Sequence, residues 1–186
     1  MLKVNEKIPT EVKLFNEKGE ETTLGNYIGQ SLIIYFYPKD NTTGCTFEAS
    51  QFKESKHIFL EKGIKILGVS KDSVKSHQAF KEKLSLNFEL LSDPDHELQD
   101  GFGVWQEKRM MGKSYMGTVR STFLVDPKGI IRKVWSRVSP KNHVQEVLDY
   151  IKQESNGEKL LLYIKGNFFL KPVCRFFIKS WFWLLI

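Results

Sequence analysis

One cysteine stands where a thiol can react. Cys45 lies in the string Tyr37-Pro38-Lys39-Asp40-Asn41-Thr42-Thr43-Gly44-Cys45-Thr46-Phe47-Glu48. Before it, Leu32 to Tyr37 is a continuous run of β-branched and aromatic residues closed by Pro38, the pattern of a buried central strand. After it, Cys45, Ala49, Phe52 and Phe59 fall near one helical face. A thiol in the first turn of a helix faces unpaired backbone N–H groups and the positive end of the dipole, and both favour thiolate over thiol. Lowering a thiol pKa from about 8.5 to about 6 raises the thiolate fraction at neutral pH roughly 30-fold. The competing reading is an inert core cysteine. Pro38 would fix the direction of the loop, and the Thr42 hydroxyl can donate and accept toward whatever the sulfur holds.

The elements around Cys45 alternate. Val12 to Phe15 and Glu21 to Leu24 read as an N-terminal hairpin, and Leu32–Tyr37 as the central strand. A helix follows from Cys45 and ends at Gly63. Ile64–Val69 reads as a strand, Ser73–Leu84 as a helix and Phe88–Leu91 as a strand. Asp93-Pro94-Asp95 opens a short helix. Ser121–Val125 and Ile130–Trp135 flank the turn Asp126-Pro127-Lys128-Gly129. Ser139 reads as the cap and Pro140 as the first residue of a last helix, with Val144, Val147, Leu148 and Ile151 inward. The order predicts an α/β fold, a mixed sheet with helices on both faces. Cys45 then sits just beyond the carboxyl end of a strand, where sites collect in open α/β sheets.

The spacing Pro38-x-x-x-Thr42-x-x-Cys45 resembles the active-site loop of peroxiredoxins. The strings YFYPKDNTTGCTFEAS and GFGVWQEKRMMGKSYMGTVRSTFLVDPKG resemble the bacterioferritin comigratory protein, or peroxiredoxin Q, branch, and the likeness runs from about residue 3 to 153. The resemblance implies a thioredoxin-like fold and a thiol peroxidase, with Cys45 as the peroxidatic cysteine and Thr42, Pro38 and Arg120 as its active-site companions. The chemistry is consistent with these residue types. A Cys45 thiolate attacks one oxygen of a hydroperoxide, and the sulfur becomes a sulfenic acid. The Arg120 guanidinium can hold the thiolate and a peroxide oxygen. Thr42 and the N–H groups of Gly44 and Cys45 can bind the two oxygens. Glu48 is placed with Gly44 on the substrate side, as a partner of Arg120 or another basic residue, or as a capping-turn carboxylate. No metal or cofactor is needed for that step.

Two departures from the branch bear on mechanism. The second cysteine that many members carry five residues after the first is here Ser50, and the body holds no other cysteine. The usual Pro before Gly44 is Thr43. The resemblance therefore implies a one-cysteine enzyme re-reduced by an external thiol: thioredoxin, glutaredoxin or a small thiol. Cys174 is the one internal candidate for a resolving role, and it lies outside the resemblance. It would need a Cα separation from Cys45 below about 7 Å.

The 186 residues carry a formal charge of +6, are 41% hydrophobic and 27% charged, a globular composition. Two cysteines make no disulfide scaffold, and they form no zinc site with the four histidines. Residues 157–186 hold Lys159, Lys165, Lys171, Arg175 and Lys179 against Glu158, a surplus of four, which leaves a surplus of two on the first 156. A nearly balanced body argues against a nucleic-acid surface. Residues 1–155 are read as the catalytic domain, and 156–186 as a basic, aromatic-rich apolar tail holding 8 of the 24 aromatic residues. Three readings of the tail stand: an amphipathic segment in peripheral contact with an anionic membrane, a cover for the body or for a partner, and a non-selected extension. On a helical wheel at about 100° per residue Lys165, Lys171, Arg175 and Lys179 fall within about 120° of arc, while Gly166-Asn167 and Pro172 interrupt one continuous helix.

No run reaches 18 uncharged apolar residues, and MLKVNEKIP has no signal core. The expected compartment is the cytosol, with a monomer or weak homodimer. Two other functions compete. A thiol-disulfide oxidoreductase would fit the fold but usually needs C-x-x-C. A noncatalytic, membrane-associated chaperone-like protein would fit the tail. His57, His77, His96 and His143 are expected at the surface or half-buried, Lys39 and Asp40 as charge tuning in the loop, and Trp105, Met110, Met111 and Met116 as an apolar loop.

Overall fold

The computed structural model describes residues 1–154 apart from Met111 and the side chain of Met110. The tail, with Cys174, lies outside the described residues. Contacts divide the chain into Met1–Val144 and Gln145–Ile186. The described part of the second, 145–154, is helical.

The first unit is built on a sheet of β1 (Leu14–Asn16), β2 (Glu21–Thr22), β3 (Ser31–Phe36), β4 (Ile64–Ser70), β5 (Glu89–Ser92), β8 (Ser121–Val125) and β9 (Ile131–Ser136). Their order is β2-β1-β5-β4-β3-β8-β9. Strands β3, β4 and β5 run parallel, and β1, β2, β8 and β9 complete the sheet by antiparallel pairing. The expected mixed sheet and N-terminal hairpin are both present. The central position of β3 explains its unbroken apolar run, because both of its faces are covered. Leu32, Ile34 and Phe36 join Leu67, Val69, Phe123 and Val125 in one core, together with Leu98 and Phe102 around the short helix α3 (Glu97–Gly101). On the opposite face Tyr35 stacks on Phe52 of α1 (Thr43–Glu61) at 4.6 Å, and Tyr37 meets Phe80 of α2 (Val74–Leu84). Helices thus cover both faces.

Tyr35 lies across β4 opposite Gly68. A Cβ on Gly68 would stand 2.8 Å from both the Tyr35 hydroxyl and Leu90 Cδ2, so only glycine admits this ring at that register.

Three local expectations need correction. The segment read as an apolar loop forms a hairpin, β6 (Trp105–Met110) and β7 (Lys113–Thr118), paired antiparallel. Gly112 in its turn has φ +77°, and Trp105 at its base stacks on His96 at 3.8 Å. The exposed hairpin carries no apolar alternation, which hid it from a periodicity search. Helix α3 begins beyond Asp93-Pro94-Asp95, because the buried Asp93 carboxylate accepts from the Leu98 and Gln99 N–H groups. The last helix spans 143–154, so Ser139 does not cap it and Pro140 is not its first residue.

Candidate active site

The helix that carries Cys45 begins two residues earlier than expected. Helix α1 starts at Thr43, with Thr42 as its extended cap. The Cys45 N–H donates to Thr42 Oγ1 at 3.4 Å, and the Thr42 hydroxyl donates to the Lys39 carbonyl at 3.3 Å. One of the two N–H groups expected to face substrate is therefore already used by the cap. The thiol is buried, 1% exposed, at the carboxyl end of β3.

Arg120, between β7 and β8, reaches this sulfur across 75 residues of chain. Its Nη2 donates to Cys45 Sγ at 3.1 Å, and its Nη1 donates to Glu48 Oε2. The sequence left Glu48 between two roles; the structure pairs it with Arg120. The carboxylate is fully buried and its Oε1 has no hydrogen-bond partner. The planar guanidinium spans both neighbours, which a lysine ammonium could not do with the same geometry. Burial pulls Arg120 down, but Glu48 and the Cys45 sulfur outweigh it and hold its pKa above the ordinary value.

Gly44 is half-buried beneath Pro140, and a Cβ there would lie 3.1 Å from Pro140 Cγ and 3.7 Å from Arg120 Nη2. The proline read as a helix start thus covers the first turn beside the thiol. Pro38 sits where β3 ends, and Ser50 is half-buried in α1. The structure brings together Cys45, Thr42, Gly44, Glu48 and Arg120.

Sequence reasoning missed three contributors. Lys108 of β6 donates to the Thr118 carbonyl. Its pKa is lowered by burial and by Arg120, with the Cys45 sulfur opposing. His143 is fully buried, with Nε2 2.7 Å from Thr122 Oγ1 and its ring edge-on to Phe52 and Trp135. His77 is fully buried as well, against Asp40 at 2.9 Å. The surface or half-buried placement expected of these two histidines is wrong, because their partners are distant in sequence. His57 is exposed and His96 half-buried, as expected.

Glu48 and His143 are displaced in opposite directions. Burial pushes Glu48 from 4.5 up to about 7, with Arg120 pulling back. Burial, then Arg120, pushes His143 from 6.5 down to about 4. Between those limits the folded protein keeps a proton on Glu48 that the unfolded chain has lost, so this contribution to stability falls as pH rises. His143 does the reverse: the unfolded chain takes up a proton that the folded protein refuses, so its contribution falls as pH falls. The two offset each other from about pH 6.5 to 4.5. Glu48→Gln removes one side, and we expect it to lose about 3 kcal/mol more than the wild type over that interval. Denaturant unfolding at both pH values measures the difference, and equal pH slopes for the two proteins would contradict it.

Among the described residues, no group of three or more His, Cys, Asp or Glu is placed to hold a metal ion. No helix among them is long and apolar enough to cross a membrane.

Comparison with known proteins identifies the family and the fold. The AhpC/TSA family matches residues 4–134. The chain is 44% identical to peroxiredoxin Bcp of Bacillus subtilis over 154 residues, 83% of this chain and 98% of that one. It superposes on the bacterioferritin comigratory protein of Xanthomonas campestris with a TM-score of 0.76 at 41% identity, covering 82% of this chain and 99% of the other. That protein was solved as trapped intermediate and ligand complexes bearing on alkyl peroxide reduction. A peroxiredoxin Q of Xylella fastidiosa gives a TM-score of 0.79 at 35% identity over 83% of this chain and 98% of its own. The sheet with its flanking helices is the thioredoxin-like fold of these proteins. The chain belongs to the AhpC/TSA family and is a peroxiredoxin, a thiol-dependent peroxidase, of the bacterioferritin comigratory protein or peroxiredoxin Q branch.

Proposed function

We propose that Cys45 is the peroxidatic residue of a one-cysteine peroxidase acting on hydrogen peroxide and organic hydroperoxides. The observation that carries this reading is the Arg120 contact: a fixed cation donates to the sulfur of a cysteine at a helix start. Arg120 stays charged throughout, so it can face a thiolate and then the oxyanion that leaves it.

The thiolate attacks the terminal peroxide oxygen. An S–O bond forms as the O–O bond breaks, and the leaving alkoxide or hydroxide takes a proton to depart as alcohol or water. Sulfur is oxidised to the sulfenic acid and the peroxide is reduced. Thr42 Oγ1 lies on the same turn as the sulfur; its proton goes to the Lys39 carbonyl and one lone pair to the Cys45 N–H, which leaves a lone pair to accept from the peroxide. The Gly44 N–H adds a second donor at the positive end of α1. Glu48 orients Arg120 from below, and Pro38 sets the direction of the loop at the end of β3.

Ser50 occupies the position from which another sulfur could attack, and a hydroxyl forms no disulfide. An external thiol therefore condenses with the sulfenic acid, releasing water and leaving a mixed disulfide. A second thiol then frees Cys45. The reductant is thioredoxin, glutaredoxin or a small thiol, in a cytosolic setting. The tail is assigned no part in the reaction. Any peripheral membrane contact is assigned to it, and Cys174 is spared.

Peroxide consumption with dithiothreitol, with a thioredoxin system and with a glutaredoxin system tests this assignment. Turnover is expected with at least one of them and none without a thiol. Sustained loss of peroxide without reductant, or an unreacted Cys45 after exposure, contradicts it. A thiol-disulfide oxidoreductase would instead reduce a disulfide substrate and leave peroxide untouched.

A further inference from the structure

We propose that Asp40 and His77 are positioning residues of the Cys45 site, a buried carboxylate–imidazole pair through which α2 fixes the loop that presents the nucleophile. The inference rests on the peroxidatic assignment of Cys45. Neither residue is in contact with the sulfur; both act through the backbone between β3 and α1.

Asp40 lies two residues before Thr42 and is 4% exposed. Its Oδ1 accepts from the Tyr37 hydroxyl at 2.8 Å, and its Oδ2 accepts from Ser76 Oγ at 2.7 Å and faces His77 Nδ1 at 2.9 Å. Its own N–H donates to Asp72 Oδ2 at 2.7 Å, and Asp72 is held by the Ser70 hydroxyl at 2.8 Å. The side chain and main chain of one loop residue are thus pinned to the ends of β3 and β4 and to the first turn of α2. Asn41 follows in the left-handed region at φ +58°, with its Oδ1 accepting from Lys83 Nζ of α2 at 3.1 Å. Thr42 comes next and caps Cys45.

Burial pushes the Asp40 carboxyl up, but the hydrogen bonds from His77, Ser76 and Tyr37 outweigh it and hold it below its ordinary value. An ionised carboxylate only accepts, so each of these neighbours must donate to it, His77 through Nδ1–H. His77 is itself fully enclosed and its Nε2 has no partner, so Asp40 and the more distant Tyr37 hydroxyl at 3.4 Å are its polar contacts. A buried pair with so few alternatives has one arrangement, and the loop inherits it. Displacing a reacting atom by about 1 Å can cost about 100-fold in rate.

The test compares His77→Leu, which keeps bulk without a donor, with His77→Asn, whose amide nitrogen falls near the place of Nδ1. Two second-order rate constants at Cys45 are measured on each folded protein, one for oxidation by hydrogen peroxide and one for alkylation by iodoacetamide, read on the Cys45 peptide. Both reactions need the thiolate; oxidation needs in addition Thr42 and Arg120 aligned on the two peroxide oxygens. In His77→Leu we expect oxidation to fall about tenfold with no fall in alkylation, and His77→Asn to recover to within about threefold of the wild type. A merely structural role would leave the ratio of the two constants unchanged. If His77→Leu does not fold, Asp40→Asn carries the same comparison. A reactive wild type whose ratio is unaltered in these variants overturns this inference alone. A wild-type Cys45 inert to hydrogen peroxide overturns it together with the peroxidatic assignment.

Discussion

Cys45→Ser is expected to remove peroxide turnover, by at least about 10³-fold, while Cys174→Ser leaves it intact. The physical reason is nucleophilicity. A serine hydroxyl is not ionised near neutral pH, even at a helix start beside a guanidinium, and it forms no sulfenic acid. The exchange changes little else, because serine is nearly isosteric and Arg120 Nη2 can donate to its oxygen as it does to Sγ at 3.1 Å. Unfolding free energy should shift by no more than about 1 kcal/mol, so the loss cannot be assigned to misfolding. Coupled consumption of hydrogen peroxide with dithiothreitol measures both variants. Retained turnover in Cys45→Ser would place the chemistry elsewhere, and loss in Cys174→Ser would end the one-cysteine account.

Arg120→Met comes second. It keeps an unbranched apolar stem and removes the donors to Cys45 Sγ and Glu48. Peroxide oxidation of Cys45 is expected to slow by about 10²–10³-fold, the usual cost of deleting a preorganised donor where negative charge develops. The same change strands Glu48, fully buried and with its Oε1 already unpartnered. Without Arg120 its pKa rises further and the carboxyl stays protonated, and leaving a buried polar group unpaired costs about 1–3 kcal/mol. The double variant Arg120→Met/Glu48→Gln separates the two effects. Its stability should recover part of that loss, because a neutral amide needs no proton held that the unfolded chain would release, while its rate stays at the level of Arg120→Met. If the double variant regains the rate, Arg120 serves Glu48 and not the sulfur. Arg120→Lys should fall between, since an ammonium cannot bridge both partners.

The parts of this site that were legible in the sequence are those encoded locally. The run Leu32–Tyr37 closed by Pro38 marked β3, and a cysteine just ahead of a helical pattern marked the end of the strand where a site would form. The hairpin at Asp126-Pro127-Lys128-Gly129 was readable because Asp126 Oδ1 accepts from the Lys128 and Ile130 N–H groups two and four residues on, a bond contained in the turn itself. Arg120 was reached only through resemblance, because no local pattern links two residues 75 apart. The same distance problem hid His77 and His143. Each looked like an ordinary helical histidine until the fold supplied Asp40 and Thr122.

The β6–β7 hairpin escaped for a different reason. Its strands are largely polar, half-buried or exposed up to Thr118, with Tyr115 at 46% and Met116 at 50%, so neither face carries the apolar alternation that burial imposes. Pro140 misled by its type: a proline after serine reads as the first residue of a helix, yet here its ring packs over Gly44 and the helix waits until residue 143. Both errors fall in segments flanking the thiol, where local preference yields to tertiary contacts.

The most direct test is intact mass after one equivalent of hydrogen peroxide, without reductant. A single reactive sulfur with Ser50 in place of a partner predicts the gain of one oxygen, located on the Cys45 peptide. Loss of two hydrogens would mean an internal disulfide, with Cys174 resolving, and would contradict re-reduction by an external thiol at Cys45.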